Sequence, residues 1–249
     1  MQNRKIPASA RQGLATYALL TMAQKNTWEK EYKNPLLIKL SDEPRKDLKE
    51  YLKFLRKKEG MSLENLSILD LGSGNGKNSN HLAEMGNRVI GLEISPTAIE
   101  MARSKSRDAG VDVKYVQADI GAPYPLEDKS VDLVVDIMSS NSLNESEREI
   151  YLKEVSRVLK DGGHFFVRGL CKDGDKNAKN LIKLSPGKEY DTYVNQDMNL
   201  KERVFSREDF INMYSRYFKI QQLIKKTNYA KFKGQNYKRN YWLAYMKKI

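Results

Sequence analysis

The chain of 249 residues has one cysteine, Cys171, and two histidines, His81 and His164. A single thiol forms no intramolecular disulfide, and three such side chains cannot build a zinc site of the usual spacing, so a reducing compartment is expected. Long apolar runs are missing too: none approaches the roughly 20 residues that span a bilayer, and Met1–Ala10 lacks the apolar stretch of a signal peptide. A cytoplasmic location and no membrane partner are the expectations. Acids are missing from both ends. Residues 1–28 hold four basic residues and no acid, and residues 210–249 hold ten basic residues and no acid. Against a net charge of +12, the intervening stretch is left slightly negative, a near-neutral body between two basic ends. No internal repeat and no Pro-, Gly- or Ser-rich linker divides the chain, so its length is read as one large domain with one core.

Small and apolar residues at helical spacing over Ala8–Gln24 predict a short amphipathic helix, suited to a lid. A second helix follows Asp42, with Leu48, Tyr51, Leu52 and Leu55 on one face and a stop at Gly60. Residues 1–60 are therefore expected to be a helical extension, and 61–249 the domain proper. From Ser67 strands and helices alternate. Strands are expected at Ser67–Leu71, Arg88–Leu92, Val111–Val116, Val131–Val135 and His164–Arg168. Helices are expected at Asn78–Met85, from Pro96 to Gly110, and at Glu145–Leu159, the last presenting Ile150, Val155, Val158 and Leu159 inward and ended by Gly162–Gly163. Residues 170–205 read as an irregular insertion, Arg207–Tyr214 as a helix, and Phe218–Ile224 with Tyr241–Tyr245 as an edge hairpin joined by a Lys/Asn/Gly-rich turn. The result is an α/β fold: a Rossmann-like, doubly wound, seven-stranded sheet, mostly parallel, with an antiparallel C-terminal hairpin strand. Ligands of such sheets bind at the carboxyl ends of the strands.

Ile68-Leu69-Asp70-Leu71-Gly72-Ser73-Gly74-Asn75-Gly76 is a buried strand running into alternating glycines and then a helix. Glycine lets the backbone turn tightly and approach a ligand where a Cβ would block it. The dinucleotide fingerprint Gly-x-Gly-x-x-Gly fits poorly, because the sixth position counted from Gly72 is Lys77 and that counted from Gly74 is Ser79. Asp70, at the strand end, suits a ligand ammonium. Glu93 ends the second strand, where an acid can accept both ribose hydroxyls of an adenosine. Asp119, after the third strand, suits an adenine amine, with Ile120 packed on the ring.

In these motifs the sequence resembles the class I methyltransferases that use S-adenosylmethionine (SAM), over roughly Leu66 to Arg168. Asp70-x-Gly72-x-Gly74-x-Gly76 is similar to their cofactor loop, Glu93 to their ribose acid, and Ala118-Asp119-Ile120 to their adenine motif. Val131–Asp136 is similar to their fourth strand, and Val158–Gly163 to the turn before the fifth. The set is most similar to the small-molecule branch that includes ubiquinone-biosynthesis and tellurite-resistance-type enzymes. The resemblance implies SAM as cofactor, S-adenosylhomocysteine (SAH) as product, and a cofactor site of Asp70, Gly72, Ser73, Gly74, Asn75, Gly76, Glu93, Ile94, Asp119, Ile120 and Asp136, with Trp28 and Tyr32 ahead of the core. For Trp28 and Tyr32 a core-packing role is the alternative.

Methyl transfer from a sulfonium is an in-line displacement, so proximity and orientation can carry it, with a base where the acceptor must lose a proton. Asp136, Ser139 and Asn141 are the expected catalytic residues, Asp136 first. The chain lacks the Asn/Asp-Pro-Pro-Tyr motif of amino-directed nucleic-acid methylases after the fourth strand and a catalytic cysteine pair. A small-molecule acceptor is therefore preferred. An RNA acceptor, held by the lysines and aromatic residues of the C-terminal stretch, and a non-catalytic SAM-binding protein are the alternatives. No metal ligand set is read, and the oligomeric state is left open.

Overall fold

Alternation with a period of two runs through the central strands and sorts their side chains onto two faces. In β1 (Ser67–Leu71) and β4 (Val131–Ile137), Ile68, Leu133 and Val135 point one way, while Leu69, Leu71 and Val134 point the other. The computed structural model describes residues 24–38, 40–232 and 234–249. The expected helix over Ala8–Gln24 lies, but for Gln24, outside the described residues. The described part of helix α1 covers 24–33.

With β2 (Arg88–Glu93), β3 (Val113–Gln117), β5 (Leu159–Leu170), β8 (Phe218–Phe232) and β9 (Gln235–Lys248), these strands form one seven-stranded sheet of order β3-β2-β1-β4-β5-β9-β8. The first five are parallel, and β9 runs antiparallel to both neighbours. Helices α2 (Lys46–Lys58), α3 (Lys77–Glu84) and α4 (Pro96–Ala109) cover one face, where Leu48, Tyr51, Leu52 and Leu55 share a cluster with Ile68, Phe166 and Tyr245. Helices α5 (Glu145–Val158) and α7 (Arg207–Tyr214) cover the other, with Tyr151, Val155, Phe210 and Tyr214 against Leu69, Phe165 and Trp242. The expected doubly wound sheet, its seven strands and its antiparallel hairpin strand are all present. Helix α2, assigned from the sequence to the N-terminal extension, packs into the same core as the sheet.

Some local expectations differ. Helix α5 ends at Val158, before Gly162–Gly163, because Leu159 is already extended and pairs with Val131. Its inward face is Tyr151, Leu152, Val155 and Val158, and Ile150 is only half-buried. The third strand starts at Val113 rather than Val111. Residues 170–205 are more regular than expected: they hold α6 (Lys176–Leu184) and a hairpin of β6 (Thr192–Asn195) with β7 (Leu200–Arg203). These elements are too short to carry a periodic signal, and they pack on a small cluster of Leu170, Ala178, Tyr193, Val204 and Tyr241. The edge hairpin is also longer than the apolar pattern shows. Its polar stretch continues the ladder from Lys226↔Tyr241 to Phe232↔Gln235, so what reads as a long turn is a two-stranded ribbon.

Candidate active site

The carboxyl ends of β1, β2 and β4 open into a cavity roofed by α1 and bounded by the loops that leave these strands. After β1 the backbone enters the left-handed region at Gly72, Gly74 and Gly76, with φ of 65°, 56° and 81°. A side chain is strained in that region, and here it also lacks room: a Cβ at Gly72 would meet Ser139, one at Gly74 the Tyr32 hydroxyl, and one at Gly76 Tyr115 and Ala102. The loop thus brings bare backbone to the cavity. Gly72, Ser73, Gly74 and Asn75 line it, while Gly76 sits behind as the N-cap of α3.

Glu93 lines the same cavity at the end of β2. Its Oε2 accepts from Gly74 N at 2.9 Å, and its Oε1 from Ile94 N at 2.8 Å and Ser95 N at 2.9 Å. Burial raises its pKa although these bonds oppose the shift. Asp119 and Ile120, after β3, form the next part of the wall together with Ile94 and Ala118. Asp119 Oδ1 accepts from Gly121 N at 2.8 Å, and burial raises this carboxyl as well.

Trp28 and Tyr32 reach the cavity from α1. The helix is pinned in place: Glu29 accepts from Ser95 Oγ at 2.7 Å, Thr97 Oγ1 at 2.5 Å and Thr97 N at 3.2 Å, and Gln24 Nε2 donates to Ser142 O at 3.0 Å. Burial acts to raise the Glu29 carboxyl, but the hydrogen bonds from Thr97, Ser95 and Lys33 outweigh it and bring it down to about 2. The turn after α1 closes on Glu31, whose carboxylate accepts from Leu36, Leu37 and Ile38 N.

Besides Gly76, three expected site residues stand behind the wall. Asp70 is 1% exposed, and its Oδ2 accepts from Ser79 Oγ at 2.6 Å. Burial pushes its carboxyl up to about 7, with Asp136 and Glu93 adding to the shift against the Ser79 bond. Asp136 is fully buried, its Oδ2 accepting from the Tyr151 hydroxyl at 2.6 Å and its Oδ1 from Ser139 N at 2.9 Å. Asn141 accepts from Leu170 N at 2.9 Å and donates to Met138 O at 3.2 Å. Asp136 and Asn141 thus shape the loop after β4 without lining the cavity. Of the expected catalytic trio only Ser139 lines it, and its Oγ donates to Leu71 O at 2.7 Å.

The structure adds residues that sequence reasoning missed. Met138 holds φ of 76° without being glycine and lines the cavity between β4 and Ser139. Glu147 lines the wall near Asp119; its capping box with Asn144 is visible as Asn-x-x-Glu in the sequence. Arg45 and Lys77 bring positive charge to the far side of the glycine loop. Burial of the Arg45 guanidinium, with Arg168 nearby, lowers its pKa. Arg168 has its own counterion in Asp47, at 2.9 Å. No periodicity or spacing marks Arg45, which precedes α2.

The buried Ser73 Oγ has no hydrogen-bond partner among the described residues, and the glycine cradle beside it would be filled by any Cβ. Both features fit an adenosyl amino acid lying along the loop. A sheet of this order, with a triple-glycine turn after β1 and an acid closing β2, defines the class I SAM-dependent methyltransferases. Residues 69–167, about two fifths of the chain, match the methyltransferase domain family, and SAM is the cofactor that goes with that family. The chain is 38% identical over 107 residues to the ubiquinone/menaquinone biosynthesis C-methyltransferase of Citrobacter koseri, covering 41% of this chain and 41% of that protein. It is 34% identical over 131 residues to a sterol 4-C-methyltransferase of Caenorhabditis elegans, covering 51% of this chain and 38% of that protein. The chain thus spans less than half the length of these relatives. Among solved structures, the 1,6-didemethyltoxoflavin N1-methyltransferase of Burkholderia thailandensis aligns with a TM-score of 0.64 at 15% identity, covering 99% of this chain and 93% of that one.

Proposed function

We propose that the protein transfers the methyl group of SAM to a small-molecule acceptor in the cavity beneath α1. The observation that carries this reading is the glycine cradle closed by Glu93: a floor of left-handed glycines, an unpartnered Ser73 hydroxyl and a carboxylate already oriented by three backbone amides. Backbone amides take three of the four lone-pair sites of Glu93, which leaves one on Oε2 to accept a ribose hydroxyl; Asp119 has those for the adenine amine, and Ile120 the apolar side for the ring. Arg45 supplies the charge complementary to the cofactor's carboxylate. When bound, SAM contributes an electrophilic methyl carbon, and the chain's own part is to hold, orient and keep water out. Tyr32 and Trp28 do the last of these from α1, which acts as the lid, within the N-terminal 60 residues.

In this reading the carboxylates of the wall, Glu93, Asp119 and Glu147, serve the nucleoside half of the cofactor. Asp136 is sequestered by Tyr151, so we read it as the residue that orients Ser139 and its loop, and Ser139 as the polar group nearest the transfer. An acceptor that is already nucleophilic needs no stronger base. Relatives named for sterol methylation and for ubiquinone/menaquinone biosynthesis support a small molecule of apolar body.

Two experiments test the reading. Calorimetry with SAH should show binding, and label from methyl-labelled SAM should enter the small-molecule fraction of a cell extract. Label found only in RNA would transfer the assignment to the C-terminal ribbon, and SAH binding without turnover in any fraction would leave a binding protein.

A further inference from the structure

The insertion after β5 and the far half of the hairpin stand at the end of the sheet where the cavity opens. Strand β9 leaves its neighbour β5 at the pair Leu170↔Tyr241, so residues 235–240 and their partners in β8 project beyond the carboxyl end of β5. Helix α6 is fastened beside this ribbon, because Asp175 at its N-cap accepts from Arg239 Nε at 3.1 Å and from Asn240 N at 2.8 Å.

The exposed side of this region combines two features. The first is unmatched positive charge. Lys176, Lys179, Lys183 and Lys188 are exposed and pair with no carboxylate of the described residues. The four acids of this segment are turned to other work: Asp173 accepts from Arg207 N, Asp175 holds the ribbon, Glu189 accepts from Glu145 N, and Asp191 pairs with Lys172. On the ribbon, Lys225 and Lys238 are exposed as well, in a stretch without any acid. The second feature is exposed apolar surface among those lysines. Leu184 ends α6 at 80% exposure and Tyr190 follows at 68%, although Leu181 and Ile182 of the same helix pack on the small cluster beneath. Tyr229 of the ribbon is 67% exposed. On the turn after α1, at the same end of the molecule, Leu36 and Leu40 are exposed, and Leu40 also lines the cavity.

Lysines interspersed with tyrosines would suit either a phosphate backbone or a lipid headgroup layer. The leucines decide between them, because aliphatic side chains gain little against phosphates and base edges but are stabilised on entering the acyl boundary. We propose that the cavity end of the molecule docks peripherally on an anionic lipid surface, with Leu184 and Tyr190 entering the headgroup layer and the surrounding lysines neutralised by the lipid. Such docking needs no spanning segment, and among the described residues no helix is long and apolar enough to cross a membrane. It sets the cavity mouth against the bilayer, where an acceptor with an apolar body is dissolved. The docking itself is independent of the methyl-transfer reading and is measured without cofactor.

The test is flotation of the full chain with vesicles of phosphatidylcholine alone and of phosphatidylcholine with about a third phosphatidylglycerol. Binding is expected only to the anionic vesicles and should weaken steeply with added salt. Leu184→Asn should lower the affinity about tenfold. Lys183→Gln should lower it roughly fivefold. Both variants should keep the wild-type melting temperature and SAH affinity, since neither side chain touches core or cofactor site. A single-stranded RNA oligonucleotide is titrated in parallel. Absence of binding to either vesicle overturns the proposal. So does tight RNA binding that Lys183→Gln weakens and Leu184→Asn leaves unchanged.

Discussion

Asp70 shows how a strand-end acid expected to meet a ligand can turn inward instead. Its carboxyl faces Ser79 inside the protein, and burial lifts it to about 7. A folded-state value above the ordinary carboxylate range means that the stability contributed by the protonated form is complete below about pH 4 and is lost as the pH rises through about 7. Asp70→Asn retains an acceptor for Ser79 and removes that loss. Thermal melts of the cofactor-free protein between pH 5 and 8 should therefore fall with pH for the wild type and stay flatter for the variant; parallel slopes would place the titration elsewhere. Gly74→Val combines a β-branched side chain with φ of 56° and a collision with Tyr32. It should raise the SAH dissociation constant at least a hundredfold by calorimetry, a loss of about 3 kcal/mol, as expected when bare backbone at a ligand acquires a Cβ. The glycines, Glu93 and Asp119 were legible because strand-end acids and alternating glycines are local in the chain. The seclusion of Asp136 was not legible, since it depends on Tyr151 returning from α5 to bond a residue fifteen positions earlier.

Among the elements, the parallel strands and the helices between them follow directly from periodicity, and β1 and α7 keep the boundaries expected for them. Where apolar runs are absent the sequence is silent: α6, β6, β7 and the ribbon are held by ladder bonds and by Asp175, Arg239 and Tyr193. The attachment of α1 belongs to the same class, because Glu29, Ser95 and Thr97 are far apart in sequence and meet only when the helix lies over the cavity. Three hydrogen bonds to one carboxylate make this a latch. Glu29→Gln removes the charge while keeping the shape. SAH release, followed by the fluorescence of Trp28, should accelerate about tenfold, since charge-assisted bonds contribute roughly 1.5–3 kcal/mol. An unchanged release rate would show that α1 does not gate the cavity. Acid should loosen the same latch: with Glu29 held at about 2, its contribution is present above the ordinary carboxylate range and disappears as the pH falls from about 4.5 towards 2.

For the molecule as a whole, the two faces of one sheet explain most of what was expected from sequence, and the ends explain what was not. The basic N-terminal and C-terminal stretches gave no indication of their arrangement, whereas the structure gathers α1, α6 and the ribbon at one end of the sheet. The strand order has a consequence for how the protein is made. Strand β8 leaves the ribosome before β9, yet its place in the sheet is reached only through β9, which lies between it and β5. A growing chain halted before Gln235 would expose the flank of β5 and leave β8 with no neighbour. Such a nascent chain should be degraded rapidly by proteases in pulse experiments, while one extended far enough for β9 to pair should become resistant, so β8 joins the sheet only once β9 has been made.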